Sequence, residues 1–201
     1  MEEATFIPPA PNALPAALDD WEKYIHSEEK DRLVQLALIK AQFELIHPFL
    51  DGNGRIGRML VPLFLFEKKI LSSPMFYLSA YLERNRAQYY QALNAISEQE
   101  DWNGWIRFFL TAVIEQAKEN VKKAQAILNL YEKMKQDVPA ITRSQYAIQA
   151  IDILFRRPIF RTTDFIKDSK IPKHTAIRIL NELESKGILK VLREGKGRRP
   201  A

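Results

Sequence analysis

Apolar residues recur at intervals of three and four from Trp105 to Tyr131, through Phe109, Val113, Ala117, Val121, Ala124 and Leu128. A strand repeats every two residues and cannot carry such a stripe, so the stretch is a single helix of unusual length or two helices in line. Asp101, just before the stripe, is placed to accept from the first unpaired N–H groups as an N-cap. Strand patterning is nearly absent up to Val138, and the fold class expected is mainly α. Val138-Pro139 is expected to break the long helix, because proline lacks the N–H that the ladder requires. A domain boundary is placed there.

The rest of the first 138 residues supports this reading. Pro8, Pro9, Pro11 and Pro15 make residues 1–15 an extended segment. Helical spacing then runs from Ala16 to Ile46, first around Trp21, Tyr24 and Ile25, then through Leu33, Leu36, Ala37, Ile39, Lys40, Phe43 and Ile46. Pro48 and Asp51-Gly52-Asn53-Gly54 stop it, and apolar periodicity resumes from Ile56 to Ile70. Shorter helices are expected over Tyr77–Glu83 and Arg86–Ser97. The organisation expected is an extended remnant over 1–15, a helical domain over 16–138 and a small domain over 139–201.

Composition removes several function classes. The chain has no cysteine, so disulfides, thiolate zinc sites and cysteine nucleophiles are excluded. Its longest uninterrupted apolar run, Met59–Phe66, contains a proline and is far short of the roughly 20 residues that span a bilayer. No membrane partner is expected, and the N-terminus lacks the pattern of a secretory signal, which makes the cytoplasm the default location. The net charge of +5 is uneven: residues 139–201 carry fourteen basic and six acidic side chains, leaving the first 138 residues at −3. Such asymmetry points to a polyanion at the tail and a separate task for the body.

Chemistry concentrates in residues 47–58, His-Pro-Phe-Leu-Asp-Gly-Asn-Gly-Arg-Ile-Gly-Arg. Asn53 and Gly54 precede a helix whose first N–H groups are unpaired, which makes an anion site suited to phosphate. Arg55 and Arg58 lie three apart on the helix start, where planar forks grip phosphate oxygens. Two arginines there oppose the helix dipole unless an anion is bound. Asp51 supplies a hard oxygen for Mg2+ shared with nucleotide phosphates. His47 alone in the loop accepts a proton near neutral pH. Each element also has a bland structural use, as a dipole partner, turn, cap or solvated charge; a plain helix-loop-helix has no reason to collect them all.

This loop resembles the signature of Fic-domain proteins, His-Pro-Phe-x-Asp-Gly-Asn-Gly-Arg-x-x-Arg, at all nine fixed positions. The resemblance covers about residues 4–115, taking in Phe6-Ile7-Pro8-Pro9-Ala10-Pro11, Asn85-Arg86-Ala87-Gln88-Tyr89-Tyr90 and the Trp102–Leu110 stretch. It implies a Fic-type helical bundle that transfers AMP from ATP to a Ser, Thr or Tyr hydroxyl of a target protein and releases pyrophosphate. On that pattern His47 is the general base and Asp51 holds Mg2+. The Gly52-Asn53-Gly54 backbone and the Asn53 side chain cradle the phosphates, and Arg55 and Arg58 hold the outer ones. Ile56 and Gly57, inside the motif, and Thr5 and Phe6, in the remnant of the family's flap, complete the nucleotide-binding set. Tyr89 either lines the base pocket or is a core aromatic. Gly54, where phosphotransferring relatives carry lysine, favours nucleotidyl transfer.

The sequence also departs from the family. At most the second strand of the flap hairpin, Ala4–Ile7, is present, so the chain is expected to be a piece of a longer protein. The inhibitory helix of many relatives is not expected either: Ser79 with Glu83, and Thr111 with Glu115, match only its first part, since Arg84 and Gln116 follow.

In the basic tail, helical patterning at Ala147–Phe155, Thr162–Lys167 and Thr175–Lys186 precedes a strand-like Gly187–Leu192 and a Gly-rich basic turn. This order resembles a winged helix-turn-helix. Its recognition helix is expected to start at Pro172, with Lys173, His174, Thr175 and Arg178 facing a groove, and Lys196, Arg198 and Arg199 contacting phosphates. A second wing strand is expected to be cut off after Ala201. The same fold also serves as a protein-contact module, so the partner is DNA or a second copy of the chain. Alternatives to AMP transfer are a DNA-binding regulator whose first domain senses nucleotide, and a Fic enzyme that uses another nucleotide or removes AMP.

Overall fold

The computed structural model describes residues 8–192. The chain divides into two compact units, Met1–Val121 and Lys122–Ala201. In the first, α1 (Leu14–His26), α2 (Arg32–Ile46), α3 (Asn53–Glu67), α4 (Ser79–Arg84) and α5 (Arg86–Gln99) precede the start of α6 (Trp102–Thr142). The single helical reading of Ala16–Ile46 resolves into two helices. Asp31 begins α2 by accepting from the N–H groups of Leu33 and Val34 at 2.9 and 3.1 Å, so the helix starts afresh after a break.

α2 is the axis of this unit. Leu36, Ala37, Ile39, Ala41 and Phe43 are buried on several of its faces, as expected of a helix surrounded by others. Two indoles are fastened to its backbone: Trp105 Nε1 donates to the Ala37 carbonyl at 2.7 Å, and Trp21 Nε1 to the Ile39 carbonyl at 3.0 Å. Trp105 and Phe109 of α6 join Val61, Phe64 and Leu65 of α3 in one core with α2. α3 therefore has a fixed support, and its first turn is where the His47–Arg58 loop ends.

α6 is one helix of 41 residues, and Asp101 caps it through the Gly104 N–H at 2.8 Å. The expected break at Val138-Pro139 does not occur. Val138 and Thr142 are buried, and Thr142 Oγ1 returns a hydrogen bond to the Val138 carbonyl at 2.9 Å, so packing outweighs the ladder bond that Pro139 removes. For the same reason the division between units falls at Val121, not at residue 138. Tyr131, Met134 and Val138 pack into the core of the second unit.

That second unit adds α7 (Ala147–Arg156), α8 (Thr162–Ser169) and α9 (Lys173–Ser185) around Ile151, Phe165, Ile171, Ile179 and Leu183. The strand expected over 187–192 is not found among the described residues. Gly187, at φ +71°, instead closes α9: its N–H reaches the Glu184 carbonyl and the Ile188 N–H reaches the Leu183 carbonyl, both at 2.9 Å. This is the glycine-based helix ending in which the next apolar residue, Ile188, packs back on the core. No helix among the described residues is long and apolar enough to cross a membrane.

Candidate functional site

The loop between α2 and α3 is shaped by three backbone decisions. His47 ends α2 in the left-handed region, at φ 47° and ψ 55°, with its N–H on the Phe43 carbonyl at 3.1 Å. Gly52 turns the chain into α3 at φ 90°, a conformation that favours glycine. Asn53 locks the turn between them. It is 3% exposed, its Oδ1 accepts from the Phe49 N–H at 3.0 Å, and its Nδ2 donates to the Phe49 carbonyl. Both polar atoms of the Asn53 side chain, expected to help cradle phosphate, are engaged with the Phe49 backbone.

The open donors are backbone groups. The Gly52 N–H is taken by Asp51 Oδ1 at 2.6 Å, and the N–H groups of Arg55 and Ile56 both return to the Gly52 carbonyl at 3.0 Å. That leaves the Asn53 and Gly54 N–H groups without an acceptor among the described residues, at the positive end of a 15-residue helix. Ile56 therefore offers an exposed apolar side chain and no free donor. Gly57 also lies away from the ligand side: it is buried against α2, and a Cβ there would stand 2.6 Å from Glu44 Oε1, 3.1 Å from Lys40 Nζ and 3.3 Å from the Phe43 ring. Its requirement is close helix packing.

A cleft of about 740 Å3 opens beside the loop. His47, Gly54 and Arg58 line it from one side, and Ser79, Glu83, Arg86, Tyr89, Tyr90 and Asn94 are among the residues contributed by α4 and α5. The structure thus brings together residues 21 to 47 positions apart in sequence. Tyr89 lines this cleft and its ring also lies 5.8 Å from that of Trp105. Arg58 is exposed and has no ion-pair partner among the described residues, whereas Arg55 is paired with Asp51 at 3.1 Å. The two arginines are not equivalent. Gly54 leaves room for Arg58, since a Cβ there would lie 3.3 Å from its Nη1.

The residues fit a magnesium ion as far as one protein oxygen can. No cluster of three or more metal-binding side chains exists among the described residues. Asp51, with 91% of its side chain exposed, is a lone hard ligand of the kind Mg2+ shares with water and phosphate. Thr5 and Phe6 lie outside the described residues.

Sequence reasoning missed Lys40 and Glu44, which line the same cleft from α2. Lys40 reads as one member of an apolar stripe, and a lysine in that register is itself the signal that a buried partner awaits it. In the second unit Lys173 and His174 stand exposed on the first turn of α9 and Thr175 is half-buried. Pro172 is the N-cap rather than the first helical residue. Arg178 is exposed, and its Nη1 donates to the Thr142 carbonyl at 3.0 Å and to Glu182 at 2.9 Å. Lys196, Arg198 and Arg199 lie outside the described residues.

Residues 1–65 match the model of the Fic/DOC family. This part of the chain is similar to the Fic/DOC family. It is 34% identical over 96 residues to a probable protein adenylyltransferase of Aquifex aeolicus, covering 47% of this chain and 28% of that protein. It is 30% identical over 105 residues to the protein adenylyltransferase Fic of Drosophila grimshawi, covering 51% of this chain and 20% of that one. The chain therefore spans less than a third of the length of these relatives. The crystal structure of a Fic family protein from Desulfovibrio desulfuricans G20 superposes with a TM-score of 0.57 at 21% identity, over 89% of this chain and 50% of that one, and so shares the fold.

Proposed function

We propose that the Fic domain of this chain is a protein adenylyltransferase, moving AMP from ATP to a Ser, Thr or Tyr hydroxyl of a target protein and releasing pyrophosphate. One observation carries the reading: His47, able to act as a base, Gly54, whose N–H has no acceptor among the described residues, and Arg58 line one cleft large enough for a nucleotide. The similarity to proteins named protein adenylyltransferases supports it.

The chemistry follows from what each group can do. The target hydroxyl oxygen attacks the α-phosphorus of ATP, the bond to the bridging oxygen of pyrophosphate breaks, and His47 takes the hydroxyl proton. The helix N-terminus stabilises charge that develops on the transferred phosphate. Arg58 grips the outer phosphates that leave. Asp51 would hold Mg2+, which supplies charge neutralisation to the phosphates when bound. Tyr89 and Tyr90 offer aromatic surface to the base.

The experiment is incubation of the chain with ATP labelled on the α-phosphate and a lysate of candidate targets. His47-dependent label on a protein supports the reading, and its absence opposes it. Repeating the assay with each labelled nucleotide, and with AMP-modified protein as substrate, separates AMP transfer from transfer of another nucleotide and from AMP removal.

The second unit supports a second reading, DNA contact through the start of α9, because Lys173 and His174 are exposed there on a net-basic segment. A regulator that only senses nucleotide has no use for a base, so His47→Ala separates the two. It leaves a sensor intact and stops an enzyme.

A further inference from the structure

Beneath the first turns of α3 lies a charged cluster to which the transfer reaction assigns nothing. Lys40 and Glu44 stand one turn apart on α2; Lys40 is 1% exposed and is ion-paired with Glu44. The Lys40 ammonium also donates to the Tyr89 hydroxyl of α5 at 3.2 Å, and Gly57 of α3 rests directly on the pair. Three walls of the cleft meet there. A buried ion pair is a weak source of stability, and apolar side chains of similar volume often serve as well. Its place at the cleft floor therefore calls for another explanation.

The charges around it are few and named. Burial pushes the Lys40 ammonium below its usual range; Glu44 opposes that shift, and Arg58 adds to it. Burial first, then Glu44, pushes the Tyr89 hydroxyl above the ordinary phenol range, so it stays neutral. Arg58 from α3 thus shares a field with both. Glu83 and Arg86 line the cleft from α4 and α5.

Resting on the reading of this cleft as a phosphate site, we propose that Lys40 and Glu44 are positioning residues of the nucleotide site: Glu44 seats the start of α3, and Lys40 cancels the carboxylate so that phosphates beside Arg58 meet no buried negative charge. The two members then affect ligand affinity in opposite senses. A merely structural pair affects it in the same sense, because either loss loosens the same support.

Calorimetric titration of ATP, and separately of inorganic pyrophosphate, against the full chain tests this, with melting midpoints measured alongside. Lys40→Met, which exposes ligand to an uncompensated carboxylate, is expected to weaken both ligands roughly tenfold. Glu44→Gln is expected to tighten both ligands about threefold or more, and the double variant to return to about the parent affinity. Should Lys40→Met fail to fold, the comparison of Glu44→Gln with the double variant decides, the former binding more tightly. Equal weakening by both single variants, or equal affinity of Glu44→Gln and the double variant, overturns the proposal alone. A parent chain that binds neither ATP nor pyrophosphate overturns the phosphate site as well.

Discussion

Arg55 reaches back one helical turn to the Asp51 carboxylate, Nη2 to Oδ2 at 3.1 Å, while Arg58 stands unpaired among the described residues at the edge of the cleft. The Asp51–Arg55 pair is exposed, and pairs of this kind contribute about 0–1 kcal/mol. Asp51→Asn keeps an oxygen to accept from the Gly52 N–H. It is expected to change stability by less than about 1 kcal/mol, yet to remove most of the Mg2+ dependence of ATP binding. Melting curves and ATP titrations with and without Mg2+ check both halves. An unchanged response to Mg2+ removes Asp51 as the metal ligand.

Asn53 makes the opposite prediction. Both of its polar atoms are bonded to the Phe49 backbone in a buried position. Asn53→Ala leaves the Phe49 N–H and carbonyl without their side-chain partner and is expected to cost about 1–3 kcal/mol. A lower melting midpoint, with transfer activity falling in step, is the outcome to look for.

The legibility of this chain follows the range over which each signal acts. The His47–Arg58 loop is contiguous, and its chemistry was readable because phosphate recognition at a helix start needs only neighbours in sequence. Its internal division of labour was not: that Asn53 faces its own loop, that Arg55 is engaged and Arg58 open, depends on side-chain geometry. Lys40, Glu44 and the α5 wall come from sequence-distant helices, and only packing assembles them. Pro139 misled in the same way, since propensity marks it as a breaker and burial of Val138 and Thr142 overrides that preference. The strand expected over 187–192 was read from the order of elements in the basic tail, whereas Gly187 and the residues after it spend their N–H groups on the end of α9.

Gly57 and Gly54 differ in what a methyl group would meet. At Gly57 it runs into Glu44, Lys40 and Phe43 across a helix contact; at Gly54 it meets only the mobile end of Arg58 at 3.3 Å. Gly57→Ala is expected to destabilise the domain by about 1–3 kcal/mol. Gly54→Ala is expected to leave stability within about 0.5 kcal/mol while weakening ATP binding through displacement of Arg58. Paired melting and titration experiments distinguish the two glycines.

Arg58 is assigned to the outer phosphates. Arg58→Ala is then expected to weaken ATP binding by roughly ten- to hundredfold, the equivalent of about 1.5–3 kcal/mol for a charge-assisted contact, with AMP affinity little changed. Lysine replaces a planar fork poorly, so Arg58→Lys recovers only part of the loss. An equal loss for both nucleotides places Arg58 on the inner phosphate instead.

The account as a whole stands on His47 as the base of a transfer reaction at this cleft. The most direct measurement compares the parent chain with His47→Ala, using ATP labelled on the α-phosphate and a responsive target protein, with ATP affinity measured on the same samples. The account predicts that label transfer falls by at least about a hundredfold while ATP affinity stays within a few-fold of the parent. Undiminished transfer by His47→Ala would contradict it.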